Sequence, residues 1–390
     1  MKKLIFAFIV MDGCVGVTHA QSTVTLYGLV DEAVMVNTNN KQVVKGVNVG
    51  GRQISVDSSN GPQGSRWGLK GAEDLGNGLK AIFTLESGVN LSNGAFGQGN
   101  TPFGRQAFVG LSSERLGTVT LGRQYDSIND FVGTKYGFAQ TSGGIPSEHP
   151  ADLDNLNHTF RLNNTLKYLS PNLHGLTFGG TVSLGGVAGE VSQDSAYTFG
   201  ANYANGPVGV GAAYGLYKNP SQTGGVLNDN VNASTFNSIN SGYLGTNAAT
   251  SLQIIVAGAS YNLGAATIGG TYSNVKYMNI GAFKGATATF NTVELNSVYR
   301  FTPALSVAGA YDYTKGSAVS GNIGNQNYNQ FSLIVDYSLS KRTDVYALGV
   351  FQKASGTNST GAAAVADIGN LGDSSNPRQA ILRFGMRHRF

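Results

Sequence analysis

The chain of 390 residues carries 55 glycines, a single cysteine, 10% aromatic and only 12% charged residues, with a formal net charge of +4. Charged usage at about half the usual quarter, with no basic run, excludes a nucleic-acid-binding surface. Plentiful aromatics and aperiodic glycine exclude both a disordered and a collagen-like chain.

Lys2 and Lys3 precede the apolar run from Leu4 to Met11, and Thr18-His19-Ala20 ends on a small residue. This predicts a cleaved secretory signal peptide over 1–20, too short to span a membrane as a helix. Met11-Asp12-Gly13-Cys14 is a poor lipoprotein box, because an acid stands close to the cysteine. Cleavage before Gln21 removes Cys14, so the mature chain has no thiol or disulfide chemistry. It keeps 24 basic and 21 acidic groups.

From Thr23 onward one pattern recurs: an alternating segment of about ten residues, a short turn, another such segment, then a long polar stretch. Leu176, Phe178, Val182 and Leu184 alternate with Thr177, Gly179, Thr181 and Ser183; Phe331, Leu333, Val335 and Tyr337 alternate with Ser332, Asp336 and Ser338. About sixteen such segments run from one centred at Tyr27 to one centred at Gly385. Short turns rich in Gly, Asn, Asp and Pro fall at 74–78, 114–117, 171–175, 205–207, 262–264, 302–303 and 340–342. Long connections are expected over 37–64, 88–104, 126–164, 185–195, 219–250, 278–288, 316–326 and 355–377.

Strict alternation of short and long connections selects an up-and-down barrel with tight turns at one rim and loops at the other. A β-sandwich need not sort its turns by rim, and a β-helix would show a fixed period. No run of about 18 apolar residues exists for a spanning helix, whereas ten-residue tilted strands suit a bilayer. Closure satisfies every backbone group in lipid. The expected fold is all-β, a transmembrane antiparallel barrel of about sixteen strands in one domain over 21–390.

The last segment, Ile381 to Phe390, has two faces. Leu382, Phe384, Met386, His388 and Phe390 share the apolar one; Arg383, Arg387 and Arg389 share the other with Gly385. An open edge would be a liability, so this strand is expected to close the barrel on the Val24 to Val36 strand. Arg383 and Arg387 then line the water side.

Several stretches resemble the general-diffusion trimeric porins of Gram-negative outer membranes, of the betaproteobacterial and neisserial type. They are Val24-Thr25-Leu26-Tyr27-Gly28, Ser65-Arg66-Trp67-Gly68-Leu69-Lys70-Gly71 leading to Glu73-Asp74-Leu75-Gly76, and Arg105-Gln106-Ala107-Phe108-Val109-Gly110-Leu111. Gly117 to Asp126 and the terminal Gly385 to Phe390 look like the same family, and the likeness covers essentially the whole mature chain. It implies a homotrimer with a water-filled pore through each subunit and a third loop, 126–164, folded inward to narrow it. Phe390 resembles the signal that outer-membrane assembly machinery reads. Lipid and lipopolysaccharide are the implied surroundings, and small hydrophilic solutes and ions the implied cargo.

The resemblance also implies arginines on the wall opposite carboxylates on the inward loop. Matching motifs places the basic side at Arg66, Arg105 and Arg161, with Lys70, Lys80 and Lys167 as further inward cations. Periodicity agrees: Trp67 and Leu69 take one face of their strand and Arg66 and Lys70 the other, while Lys80, Thr84 and Glu86 share the inward side. The acidic candidates are Glu86 and the loop residues Asp126, Asp130, Glu148, Asp152 and Asp154. Opposed charges across a narrow aqueous gap would create a transverse field. Val119, Leu121, Arg123 and Tyr125 share one face, and a charge on the lipid side at mid-membrane costs about 2–4 kcal/mol. Arg123 therefore sits near the rim or faces a neighbouring subunit, and the resemblance, which implies early strands at the trimer contact, favours the subunit interface.

His149, His158, His174 and His388 lack metal-ligand spacing, and no nucleophile elbow or P-loop occurs, so neither a metal, a cofactor nor an enzyme is expected. The function read from the sequence is a passive outer-membrane channel, mildly anion-selective. The alternatives are a sugar- or acid-specific channel guided by Tyr27, Tyr136 and Tyr217, and, last, an outer-membrane hydrolase.

Overall fold

The computed structural model describes residues 22–221, 224–228 and 237–390; the signal-peptide expectation lies outside them. The strands are β1 (Thr23–Val44), β2 (Val47–Asp57), β3 (Arg66–Gly76), β4 (Leu79–Gly88), β5 (Gln106–Ser113) and β6 (Gly117–Gln124). After a long loop come β7 (Leu162–Leu169), β8 (Leu176–Ser183), β9 (Ala196–Asn205), β10 (Val208–Lys218), β11 (Ser251–Leu263) and β12 (Ala266–Ile280). The chain ends with β13 (Ala286–Arg300), β14 (Leu305–Gly316), β15 (Asn327–Ser338), β16 (Thr343–Ser355) and β17 (Arg378–Arg389).

Strand β1 pairs antiparallel with both β2 and β3, each strand from β3 onward pairs antiparallel with the next, and β17 returns to β1 with Leu29 opposite Arg389 and Asn37 opposite Ile381. The β2 and β3 segments lie end to end on one edge of β1, so the seventeen segments make sixteen staves of a closed barrel. Between them, 58–65 turns into the lumen, where the Ile145 amide donates to the Gly61 carbonyl at 3.2 Å. The expected loop over 37–64 is thus mostly strand. Val44, Val47, Val49, Ile54 and Val56 favour extended backbone. Lys45 and Gly46, with φ of 50° and 79°, supply the mirror-image turn that a two-residue hairpin requires.

Burial follows the alternation in the terminal strand: Leu382, Phe384, Met386 and Phe390 are exposed on the outside. Arg383 points inward yet is wholly buried rather than bathed by the channel. It bonds to Asp31 at 3.0 Å, to Asp57, and to the Tyr346 hydroxyl, fastening the seam. Arg387 reaches Asp344 at 3.0 Å and Asp336 at 3.2 Å. At the end of the seam the Gly28 and Phe390 backbones exchange two hydrogen bonds of 3.1 and 3.0 Å.

The apolar core lies inside the barrel, against one wall. Ile128, Phe131, Leu153 and Phe160 from the third loop pack with Tyr217, Ile254, Tyr277 and Phe290 of β10–β13 and with Leu244 of a later loop. Sixteen staves would enclose an open bore; here loops fill the β9–β16 side, and the open path follows β1 and β3–β5.

Candidate functional site: a cationic neck inside the barrel

Strand β6 ends beside a bulge in its partner. The β6–β7 register shifts between Gly122 and Gln124, where two steps of β6 face three of β7 and Asn164 takes φ of 49°. Strand β6 keeps its own alternation, Thr120 and Gln124 both being buried. Tyr125, expected on the outward face with Arg123, follows the last strand residue, where the chain turns into the loop; its ring points into the lumen and is buried. From there the chain makes short helical turns at Asn129–Gly133, Thr134–Tyr136, Ala139–Gly143, Ile145–Ser147 and Pro150–Asp152 that lie within the barrel.

Polar anchors hold this loop to the far wall. The Lys167 ammonium binds Asp130 at 2.5 Å and donates to the Tyr125 carbonyl at 2.9 Å. Asp126 accepts from the Asn129 amide at 3.1 Å, from Asn155 Nδ2 at 2.8 Å and from the Tyr217 hydroxyl. His149 sits between Asp154, at 2.7 Å, and Glu294 of β13, at 3.4 Å; Glu294 also accepts from the Phe138 amide at 3.1 Å. Burial disfavours the charged imidazole, but Asp154 and Glu294 outweigh it and hold His149 well above the ordinary histidine range. Ser273 of β12 donates to Asp154 at 2.5 Å, and Gln330 of β15 donates to the Glu148 carbonyl at 2.8 Å.

Two lumen cavities meet at a neck. One reaches toward the short turns and is lined by Tyr27, Arg66, Glu86, Tyr125 and Gln140. The other opens toward the long loops and is lined by Ser65, Asn90, Glu148, Arg161 and Asn370. They share Gly64, Arg105, Ile145, Asn157 and His158. Arg105 lies at the centre, its Nε 2.7 Å from Glu86 and its Nη2 3.3 Å from His158 Nε2. Arg66 is 3.9 Å from the same carboxylate. The His158 ring stacks on Tyr125 at 5.0 Å, and the Arg161 guanidinium lies 5.5 Å from that tyrosine's ring centre. Burial, followed by Arg105, Arg161 and Arg66, holds His158 well below the usual histidine range, so its imidazole is neutral.

The sequence-read residues divide. Arg66, Arg105, Arg161 and Glu86 gather at the neck, and Glu148 lies in the outer cavity beside Arg161. Asp126, Asp152 and Asp154 are wholly buried in the loop's own packing and present no charge to the gap. Their hydrogen bonds explain this: Asp152 receives the Asn157 and Thr159 amides at 2.9 Å each, so it builds the loop. Asp130 and Lys167 neutralise one another as an anchor. Lys70 lies nearer the turn side, 5.2 Å from the Tyr27 ring centre, and Lys80 is at the turn end opposite Asp74. The envisaged aromatic track does not form, because Tyr136 and Tyr217 are buried under the loop and Tyr27 donates to Glu86 at 2.9 Å. Arg123 bonds within the chain, to the Gly104 carbonyl at 2.8 Å and Asn163 Oδ1 at 2.6 Å. Sequence reasoning passed over Tyr125, Ile145, Asn157 and His158. No strand period reaches Tyr125, which lies just past the end of β6 and turns inward with the loop.

A closed β-barrel with an apolar belt, a polar interior and an internal neck defines a transmembrane channel. The comparisons narrow the class: the Gram-negative porin family matches residues 8–357, and the chain belongs to it. It is 29% identical to an outer membrane porin protein of Bordetella pertussis, with all of both chains covered. It is 28% identical to outer membrane porin protein 32 of Delftia acidovorans, again over both full lengths. Among solved structures, the anion-selective porin from Comamonas acidovorans superposes with a TM-score of 0.70 at 24% identity, covering 95% of this chain and 100% of that one. OmpT of Vibrio cholerae in its trimer form gives 0.61 at 14% identity, covering 95% and 99%. The chain is an outer-membrane diffusion channel for small hydrophilic solutes, of a family of passive channels rather than enzymes.

Proposed function

We infer that the neck at Arg105 is the constriction of this channel, formed by the 126–164 loop, and that it makes the pore mildly anion-selective. One observation carries the reading. Arg66, Arg105 and Arg161 cluster against a single wall carboxylate, Glu86, while the loop side of the neck presents Ile145, Asn157 and neutral His158. The local charge is positive, and an ion crossing a narrow low-dielectric neck responds to it more than to distant charges. The reversal potential of purified protein in a planar bilayer under a salt gradient tests this. A value on the anion side supports the reading, and one on the cation side removes it.

The working unit we infer is a homotrimer that buries the outer face of β1 and β3–β6. Every fully exposed aromatic on a strand lies in β8 or later, whereas the early face exposes Val24, Leu26, Val109, Leu111, Val119 and Leu121, with Trp67 and Phe83 only half-exposed among them. Aromatic girdles mark the lipid headgroup levels, so the thinness of rings here fits a wall that meets protein. Arg123 lies on the rim of this face, and Phe390 is the proposed cue for the assembly machinery.

A further inference from the structure

The lipid-facing wall carries a regularity that the channel does not use. In β10, β12, β14 and β16 a lysine stands ten residues after the strand's first residue: Lys218, Lys276, Lys315 and Lys353. An even spacing keeps each on the outward side, with the exposed Tyr272, Tyr313 and Phe351 two or four residues below in three of the four. Two residues after each strand's start, Val210, Ile268, Val307 and Val345 stand opposite Tyr203, Tyr261, Tyr299 and Tyr337, the girdle at the turn side. The eight residues from that girdle to each lysine, at about 3.3 Å and tilted by about 40°, rise roughly 20 Å, and the long lysine stem carries the ammonium the remaining distance across an apolar band of about 25 Å. The four ammonium groups therefore ring the far border of the hydrocarbon, on the long-loop side. Arg378 joins them opposite Lys353.

Two more observations show that this collar is unneutralised. The acids of β10–β17, Glu294, Asp312, Asp336 and Asp344, all project inward. None of the five cations forms an ion pair among the described residues. Lys353 and Arg378 even face one another directly, a pairing of like charges that is unfavourable without an anion between them.

We propose that Lys218, Lys276, Lys315, Lys353 and Arg378 form a binding collar for the phosphate groups of lipopolysaccharide in the outer leaflet. The proposal rests on the reading that β8–β17 face lipid while the early strands meet another subunit. A glycolipid whose acyl chains lie along the apolar band brings its phosphates to the level where the collar stands. Purified full-length channel in neutral detergent, titrated with lipopolysaccharide and followed by native mass spectrometry, tests it. Each lysine near an anionic lipid surface is worth roughly fivefold in affinity. The K218Q/K276Q/K315Q/K353Q variant is expected to bind roughly several hundredfold more weakly. Dephosphorylated lipid A should bind the wild-type channel no better than lipopolysaccharide binds the variant. Planar-bilayer conductance of the variant should match wild type, since these residues face away from the lumen, and this establishes that it folds. Unchanged affinity in the variant, or equal binding of the dephosphorylated glycolipid, overturns the proposal. The same spectra count subunits, so a failure of the trimer reading registers separately.

Discussion

Replacing Arg105 by glutamine removes one positive charge from the junction of the two lumen cavities and leaves Glu86 with Arg66 alone, 3.9 Å away. An ion passing about 5 Å from that charge in water feels about 0.8 kcal/mol, close to fourfold in local anion occupancy. At about 0.15 M salt the screening length is about 8 Å, and the effect falls to about twofold. Arg105→Gln should thus move the reversal potential in a salt gradient toward the cation side, more so in dilute than in physiological salt. Glu86→Gln should move it the opposite way. If Arg105→Gln leaves the reversal potential unchanged at both ionic strengths, or shifts it toward anions, the neck is not where selectivity arises.

Other expectations rest on the loop and the seam. Arg383→Met strands the carboxylates of Asp31 and Asp57 at the seam, and leaving a buried partner unpaired costs about 3–5 kcal/mol; the midpoint of heat modifiability in detergent should fall by many degrees. Burial and then Asp154 push Asp152 up to about 7. A carboxyl whose pKa is raised by folding stabilises fully below its unfolded value, and that contribution disappears as pH rises through about 7. Wild-type barrel should therefore melt lower at pH 8 than at pH 5, and Asp152→Asn should flatten the difference. The raised pKa of His149 makes its contribution complete below about 6.5 and lost only in alkali. His149→Gln should accordingly give noisier single-channel currents at pH 7, and quiet currents there would show that the latch to Glu294 is dispensable. Deleting Phe390 removes two seam hydrogen bonds, each worth about 1 kcal/mol; the fraction of folded barrel recovered from outer membranes should drop.

The staves were legible because a wall wet on one side and greasy on the other imposes a period of two on the chain, and every segment centre from Tyr27 to Gly385 lies in a strand. The β2 segment escaped because Gly50 and Gly51 interrupt its alternation and its β-branched residues sit among polar ones. Arg66, Arg105 and Glu86 could be found since motif and periodicity agreed on strands or at their edges. The loop carboxylates could not be sorted, because a loop has no period to say which side chain turns inward. Asp152 and Asp154 are consumed in tying backbone amides and His149, a task that only the folded loop defines. His158 gave no signal at all, for its place beside Arg105 depends on a path that local sequence does not encode.

The loop core against β9–β16 separates two dimensions of the channel. The number of staves sets the girth, which lipid and neighbouring subunits meet, while the volume of apolar side chains packed inside sets the clear width. Trimming Phe131, Leu153 or Phe160 would alter what can pass without changing a single outward residue. The molecule is built as a fixed casing with an exchangeable filling, and its sieve can drift while its fit to the membrane stays the same.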